Sequence, residues 1–142
     1  RDKDSAASCG LLAECAAHLM DRGQTIWGYL LEIYNEFGYY KEGLTSIYRM
    51  GKEGAEEIQN IMKGYRENPP QEIAGSKVVE VIDYLETEKT HLPKSNVLQF
   101  LADDGTIVSV RPSGTEPKIK FYFGVRGDDA DARIALLKQQ FA

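Results

Sequence analysis

With 142 residues, 42% apolar and 10% aromatic content, the chain can bury roughly two thirds of its unfolded surface in one core, which excludes a disordered polypeptide. A formal charge of -5, from 17 basic and 22 acidic side chains, argues against a general nucleic-acid partner but not against an anion site confined to one loop. No apolar run approaches the ~18 residues of a membrane span and no secretory signal core is present, so no membrane partner is expected.

Cys9 and Cys15, the two cysteines, match neither a disulfide framework nor a zinc ligand set. They read as small buried thiols in a reducing, cytoplasmic setting. The opening Arg1-Asp2-Lys3-Asp4 lacks a starting methionine, as a piece of something longer or a processed chain would.

Asp4 or Ser5 caps a predicted helix to about Arg22, with Leu11, Leu12, Cys15, Ala16, Leu19 and Met20 on one face, and Gly23 stops it. Thr25 caps a second helix in which Ile26, Leu30, Ile33, Tyr34 and Phe37 recur at helical spacing, up to Gly38. These two amphipathic helices bury little by themselves. From Tyr39 onward aromatic and β-branched residues predict a strand over 44–50, then a helix over 52–65 with Ile58, Ile61, Met62 and Tyr65 as its apolar stripe. Asn68-Pro69-Pro70 terminates that helix.

Strands are predicted over 76–84, 96–101, 106–111 and 118–125, with Asp103-Asp104-Gly105 as the tightest hairpin signal. A last helix starts near Asp128 or Asp129, with Ala130, Ile134, Leu137 and Phe141 inward. The expected fold class is α+β: a two-layer domain at 41–142 with an antiparallel sheet and two helices in the order β-α-β-β-β-α. A two-helix segment at 1–40 precedes it.

The densest chemistry lies in RPSGTEPKIKFYFGV, residues 111–125. Ile119, Phe121, Phe123 and Val125 alternate with Lys118, Lys120 and Tyr122, the pattern of a half-buried strand. Pro112 lacks an N–H and is expected to break the ladder, so that 112–117 leave the sheet. Gly114 relaxes the backbone between the hydroxyls of Ser113 and Thr115, whose N–H groups can turn inward as an anion nest. Arg111 adds a planar fork suited to two oxygens of a phosphate or carboxylate. The bland alternative is a surface turn capped by Ser113, with Arg111 paired to Glu116 or Asp104. Residue chemistry leaves both open.

RPSGTEPKIKFYF resembles the phosphate-binding loop in the C-terminal domain of the phosphoglucomutase/phosphomannomutase superfamily, the α-D-phosphohexomutases. Arg1–Asp4 before an alanine- and leucine-rich helix is similar to the end of that family's third domain. Thr25–Tyr40 is similar to its exit into the fourth, a TATA-binding-protein-like fold. The resemblance implies that residues 1–40 are a helical remnant of an α/β third domain. It implies that Arg111, Ser113, Gly114 and Thr115 grip the non-reacting phosphate of a phosphosugar. Lys118 and Lys120 would share the polar strand face and add positive potential, with a solvated face as the alternative. Glu116 would point outward, toward Lys118.

The family's T-A-S-H-N-P-like phosphoserine loop, D-x-D-x-D-R magnesium loop and G-E-E-S-G-H-like sugar loop are absent from these residues. The chain is therefore expected to hold no catalytic residue, metal or cofactor of its own. Magnesium, a hexose bisphosphate intermediate and the upstream domains of the same chain belong to the full-length enzyme. That enzyme is expected to interconvert glucose 1-phosphate and glucose 6-phosphate. Asp2 and Asp4 lack a third ligand, and Asp4 reads as a helix cap; His18 and His91 lack a nucleophile nearby. The competing function is a free-standing phosphate- or phosphopeptide-binding module.

Overall fold

The computed structural model describes residues 4–141. The chain divides into two compact units, Arg1–Tyr39 and Tyr40–Ala142.

The first unit holds helices α1 (Ser5–Asp21) and α2 (Ile26–Phe37). Asp4 caps α1 by accepting the Ala7 N–H at 2.9 Å, and Thr25 caps α2 by accepting the Gly28 N–H at 3.0 Å. Gly23 (φ +67) and Gly38 (φ +96) close the two helices in conformations that disfavour a side chain. The Asp2 half of the Asp2–Asp4 pair lies outside the described residues. Of the predicted inner face of α1, Leu19 is buried, but Leu11, Leu12 and Met20 are exposed. The expectation of buried thiols is corrected as well: Cys9 is exposed and Cys15 half-buried. Two helices supply no second layer that could cover both.

The second unit runs β1 (Tyr40–Tyr48), α3 (Gly51–Glu67), β2 (Glu72–Ile73), β3 (Ser76–Asp83), α4 (Thr87–Thr90), β4 (Leu98–Ala102), β5 (Ile107–Pro112), β6 (Lys118–Arg126) and α5 (Ala130–Gln140). The strands form one antiparallel sheet in the order β1-β6-β5-β4-β3-β2. The α+β class is as expected, but the β-α-β-β-β-α string is short of strands. Four long strands plus the two-residue β2 separate or follow α3, and α4 is an added single turn.

β1 begins at Tyr40 rather than Leu44 because β6 offers a partner along its whole length, from Tyr48↔Lys118 to Tyr40↔Arg126. Glu42 and Gly43 carry little strand propensity, so here pairing overrides local preference. The β4–β5 turn closes on Ala102 and Thr106, with Gly105 at φ +84, the left-handed position such a short loop requires.

The core lies on one face of this sheet. Alternation on β6 sends Ile119, Phe121, Phe123 and Val125 inward, where all are almost fully buried. Phe100, Val108 and Val110 join them from β4 and β5. α3 covers this layer with Ile58 and Met62, and α5 with Ile134 and Leu137. Tyr65, Phe100, Phe121, Phe123 and Phe141 form an aromatic cluster with ring centroids 5.4–6.1 Å apart. Burial in it pushes the Tyr65 hydroxyl above the usual phenol range. The polar termini of this layer are also tied: Arg66 at the end of α3 bonds Asp83 at 2.8 Å and Asn96 at 2.6 Å.

Two glycines permit close approaches. A Cβ on Gly54 would lie 2.2 Å from the Arg49 carbonyl oxygen, so only glycine lets α3 fold back on its own entry. A Cβ on Gly43 would meet Ile134 at 3.1 Å where β1 passes α5.

Candidate functional site

The β5–β6 hairpin carries the phosphate-loop residues, and the ladder decides where each one points. The Ser113 N–H donates to the Lys118 carbonyl at 2.8 Å and closes the hairpin. The loop is thus shorter than the sequence predicts. Pro112 does not leave the sheet; it is the last β5 residue, opposite Ile119. The Ser113–Lys118 bond makes Pro112↔Ile119 a non-hydrogen-bonded pair, so the proline nitrogen faces away from β6. On that side β4 has already ended, its Leu98 pairing with Val110, and the missing N–H disrupts no ladder bond.

Inside the loop Ser113 acts as the turn cap. Its Oγ accepts the N–H of Thr115 at 3.4 Å and of Glu116 at 3.3 Å. This corrects the nest reading in part. The Ser113 amide is committed to the ladder, and the Thr115 amide faces the Ser113 hydroxyl by a long bond. Gly114 and Thr115 are exposed, and Ser113 is half-buried.

Arg111 and Lys120 stand directly opposite one another, and Ser46 of β1 flanks Lys120 on its other side. Like charges at facing ladder positions are mildly destabilising, so an anion or a carboxylate between them would be favourable. Neither carboxylate expected beside Arg111 serves. Glu116 pairs with Lys118 at 2.6 Å, and Asp104 binds Arg133 and Ser76. Among the described residues Arg111 and Lys120 make no ion pair.

Lys118 departs from its expected placement. Strict alternation places it beside Lys120 on an open polar face, yet its side chain is only 10% exposed and wholly engaged. Its Nζ lies 2.6 Å from Glu116, 3.2 Å from the Tyr48 hydroxyl and 5.0 Å from the centre of that ring. The hydrogen bond to Glu116 and then that to Tyr48 hold the ammonium above its ordinary pKa. The same Lys118 bond, with the fields of Lys118 and Lys120, holds the Glu116 carboxyl below the usual range. Tyr48 and the neighbouring Arg49, whose N–H donates to the Pro117 carbonyl at 2.9 Å, were not legible as loop residues. They lie far from the loop in sequence, and only the β1–β6 register brings them there.

Among the described residues no group of three or more His, Cys, Asp or Glu side chains could hold a metal ion. No described helix is long and apolar enough to cross a membrane.

Such a hairpin, with an arginine–lysine couple behind a Ser-Gly-Thr turn, belongs to an α+β domain built on one antiparallel sheet. Residues 52–137 match the family described as phosphoglucomutase/phosphomannomutase, C-terminal domain, and the chain belongs to that family. It is 41% identical over 136 residues to a protein named phosphoglucomutase from Staphylococcus aureus strain MSSA476, covering 89% of this chain and 24% of that one. The phosphoglucomutase of strain MRSA252 is 40% identical over 141 residues, covering 92% and 25%. The chain thus spans about a quarter of the length of these relatives. A solved structure of pp63/parafusin, a phosphoglucomutase from Paramecium in its open form, shares the fold. Its TM-score is 0.50 at 16% identity, over 82% of this chain and 21% of that one.

Proposed function

We propose that the β5–β6 loop anchors the non-reacting phosphate of a phosphosugar as the C-terminal part of a phosphohexomutase. The observation that carries this reading is the facing Arg111–Lys120 couple, two positive charges with no carboxylate committed to either. A phosphate between them satisfies both, Arg111 supplying a two-pronged contact and Lys120 a point charge. The Gly114 amide, the Thr115 hydroxyl and the Ser113 hydroxyl complete the set, the last two reachable because the loop is open. A ligand oxygen can replace the long 3.4 Å bond between the Thr115 amide and Ser113.

Anchoring one end of the sugar leaves its other end for phosphoryl transfer, which needs an in-line acceptor and positioned positive charge. In this reading the upstream domains of the full-length, cytoplasmic enzyme supply a phosphoserine, magnesium and the sugar-reading loop. A hexose bisphosphate is the intermediate there. Glucose 1-phosphate and glucose 6-phosphate are the proposed substrates, by analogy with the relatives' names. The exposed faces of α1 and α2 would pack on the upstream domain. The isolated chain is then a phosphate binder without mutase activity.

A phosphate titration followed by backbone amide NMR tests the anchor. Shifts should cluster on Gly114 and Thr115, and Arg111→Ala should remove most of the binding. The cost is about 2 kcal/mol, the low end for a charged anchor in an open site. Arg111→Lys should restore little, because the ammonium lacks the fork. Shifts centred on Lys89 and Lys94, unaffected by Arg111→Ala, would sink the reading. So would isomerase activity of the isolated chain with magnesium and a bisphosphate supplied.

A further inference from the structure

A carboxylate in a phosphate loop is a problem, and the structure contains its solution. Glu116 sits within the turn, close enough to feel the charge of Lys120. Left alone it would compete with phosphate for Lys120 and repel the incoming anion. We propose that Lys118 is a positioning residue rather than a phosphate ligand: it neutralises Glu116, and with Tyr48 it straps the loop to the end of β1. The inference rests on the phosphate-anchoring reading above and assigns that site an internal counter-charge.

Three observations support it. Lys118 is the most buried cation of the hairpin, and two of its three donors are directed at Glu116 and Tyr48. The strap is double, because the Arg49 N–H holds the Pro117 carbonyl one residue further along both strands. The bond between them raises the Lys118 ammonium and lowers the Glu116 carboxyl, the mutual displacement of a hydrogen-bonded ion pair. Charge counting then gives the site its sign: Arg111, Lys118 and Lys120 against Glu116 leave a positive surplus carried by Arg111 and Lys120.

The test is a double-mutant cycle on this chain, read as inorganic phosphate affinity from the Gly114 and Thr115 amide shifts. Lys118→Met should weaken phosphate at least fivefold when Glu116 is present. In the Glu116→Gln background the same substitution should change affinity less than twofold, and Glu116→Gln alone should not weaken binding. Lys120→Met should weaken binding in both backgrounds. Equal losses from Lys118→Met in the two backgrounds would make Lys118 a direct ligand and overturn the proposal.

A second measurement needs no phosphate. Exchange of the Arg49 amide should be at least tenfold faster in Lys118→Met, and an unchanged rate overturns the strap. If Lys118→Met does not fold, Tyr48→Phe, which deletes one hydroxyl from a half-exposed ring, takes its place. It should raise Arg49 exchange severalfold, and an unchanged rate again counts against the strap. If the unsubstituted chain shows no phosphate-dependent shift, the anchoring reading fails, and Arg49 exchange alone decides whether the strap exists.

Discussion

The helices of the two units carry the same kind of sequence signal with opposite outcomes. α3 and α5 bury Ile58, Met62, Ile134 and Leu137 against the sheet of their own unit, whereas α1 and α2 leave Leu11, Leu12, Met20, Trp27 and Phe37 largely exposed. Amphipathic spacing specifies a face, and whether that face is buried depends on a second layer. The difference teaches that periodicity alone does not define a core. It also explains why a cysteine on α1 can be solvent-facing despite its apolar neighbours.

Amide exchange offers the sharpest test of that contrast, and the largest expected effect. The central strands β5 and β6 should exchange through global opening, and residues 5–37 through local opening. Protection factors should differ by about ten-thousandfold, the gap between nearly free local opening and a global opening of at least about 5 kcal/mol. Equal protection in a confirmed monomer would mean a shared core and would abolish the distinction.

A substitution inside the layered unit should separate the two regions next. Phe121→Ala removes the ring that Tyr65 and Phe141 contact and should cost about 3–5 kcal/mol, read from the urea midpoint. Leu11→Ala, at a side chain 68% exposed, should stay within about 0.5 kcal/mol. A large effect at Leu11 would break the comparison.

Backbone closeness in the layered unit gives a smaller effect of a different kind. Gly54→Ala forces a methyl into the Arg49 carbonyl and should destabilise by about 3 kcal/mol. Gly10→Ala in α1 meets nothing within 4 Å and should be neutral or stabilising by under about 1 kcal/mol, because alanine favours the helix.

The smallest effect is electrostatic. Burial raises the Asp83 carboxyl, but the bonds from Arg66 and the Leu85 amide outweigh it and hold the group below its usual range. A depressed carboxylate contributes stability that is complete above its unfolded pKa and lost as the pH falls through the folded value. Arg66→Ala, which leaves Asp83 and Asn96 without their donor, should cost about 2 kcal/mol at pH 7. The cost should shrink only as the pH falls below the ordinary carboxylate value, through the depressed value of folded Asp83. A cost independent of pH would remove Asp83 from the account.

Much of this was legible in advance. Asp4 and Thr25 are the helix caps their residue types suggest, and Asp103-Asp104-Gly105 is the turn its glycine requires. The inward set on β6 follows from alternation alone. β2 and α4 were not legible, since two-residue and four-residue elements carry no period. Within the loop, Arg111 and Lys120 could be identified by type but not as facing partners; the Lys118–Glu116 pair is as expected, and the Tyr48 contact of Lys118 is not. Alternation gives its side of the strand. It does not say that Tyr48, seventy residues away, arrives on that side.

The sequence by itself determined the longer elements, the caps of α1 and α2 and the hydrophobic face of β6, because these depend on neighbours within a few residues. Tertiary structure decided the register of β1 on β6, and with it which charges meet. A register joins residues across most of the chain, and shifting it by one would send every side chain of β1 to the other face. The β5–β6 pairing sets Arg111 opposite Lys120, while the β1–β6 register brings Tyr48 to Lys118. Lys118 thereby differs from Arg111 and Lys120 in its contacts, and its contact with Tyr48 is one that no local pattern encodes.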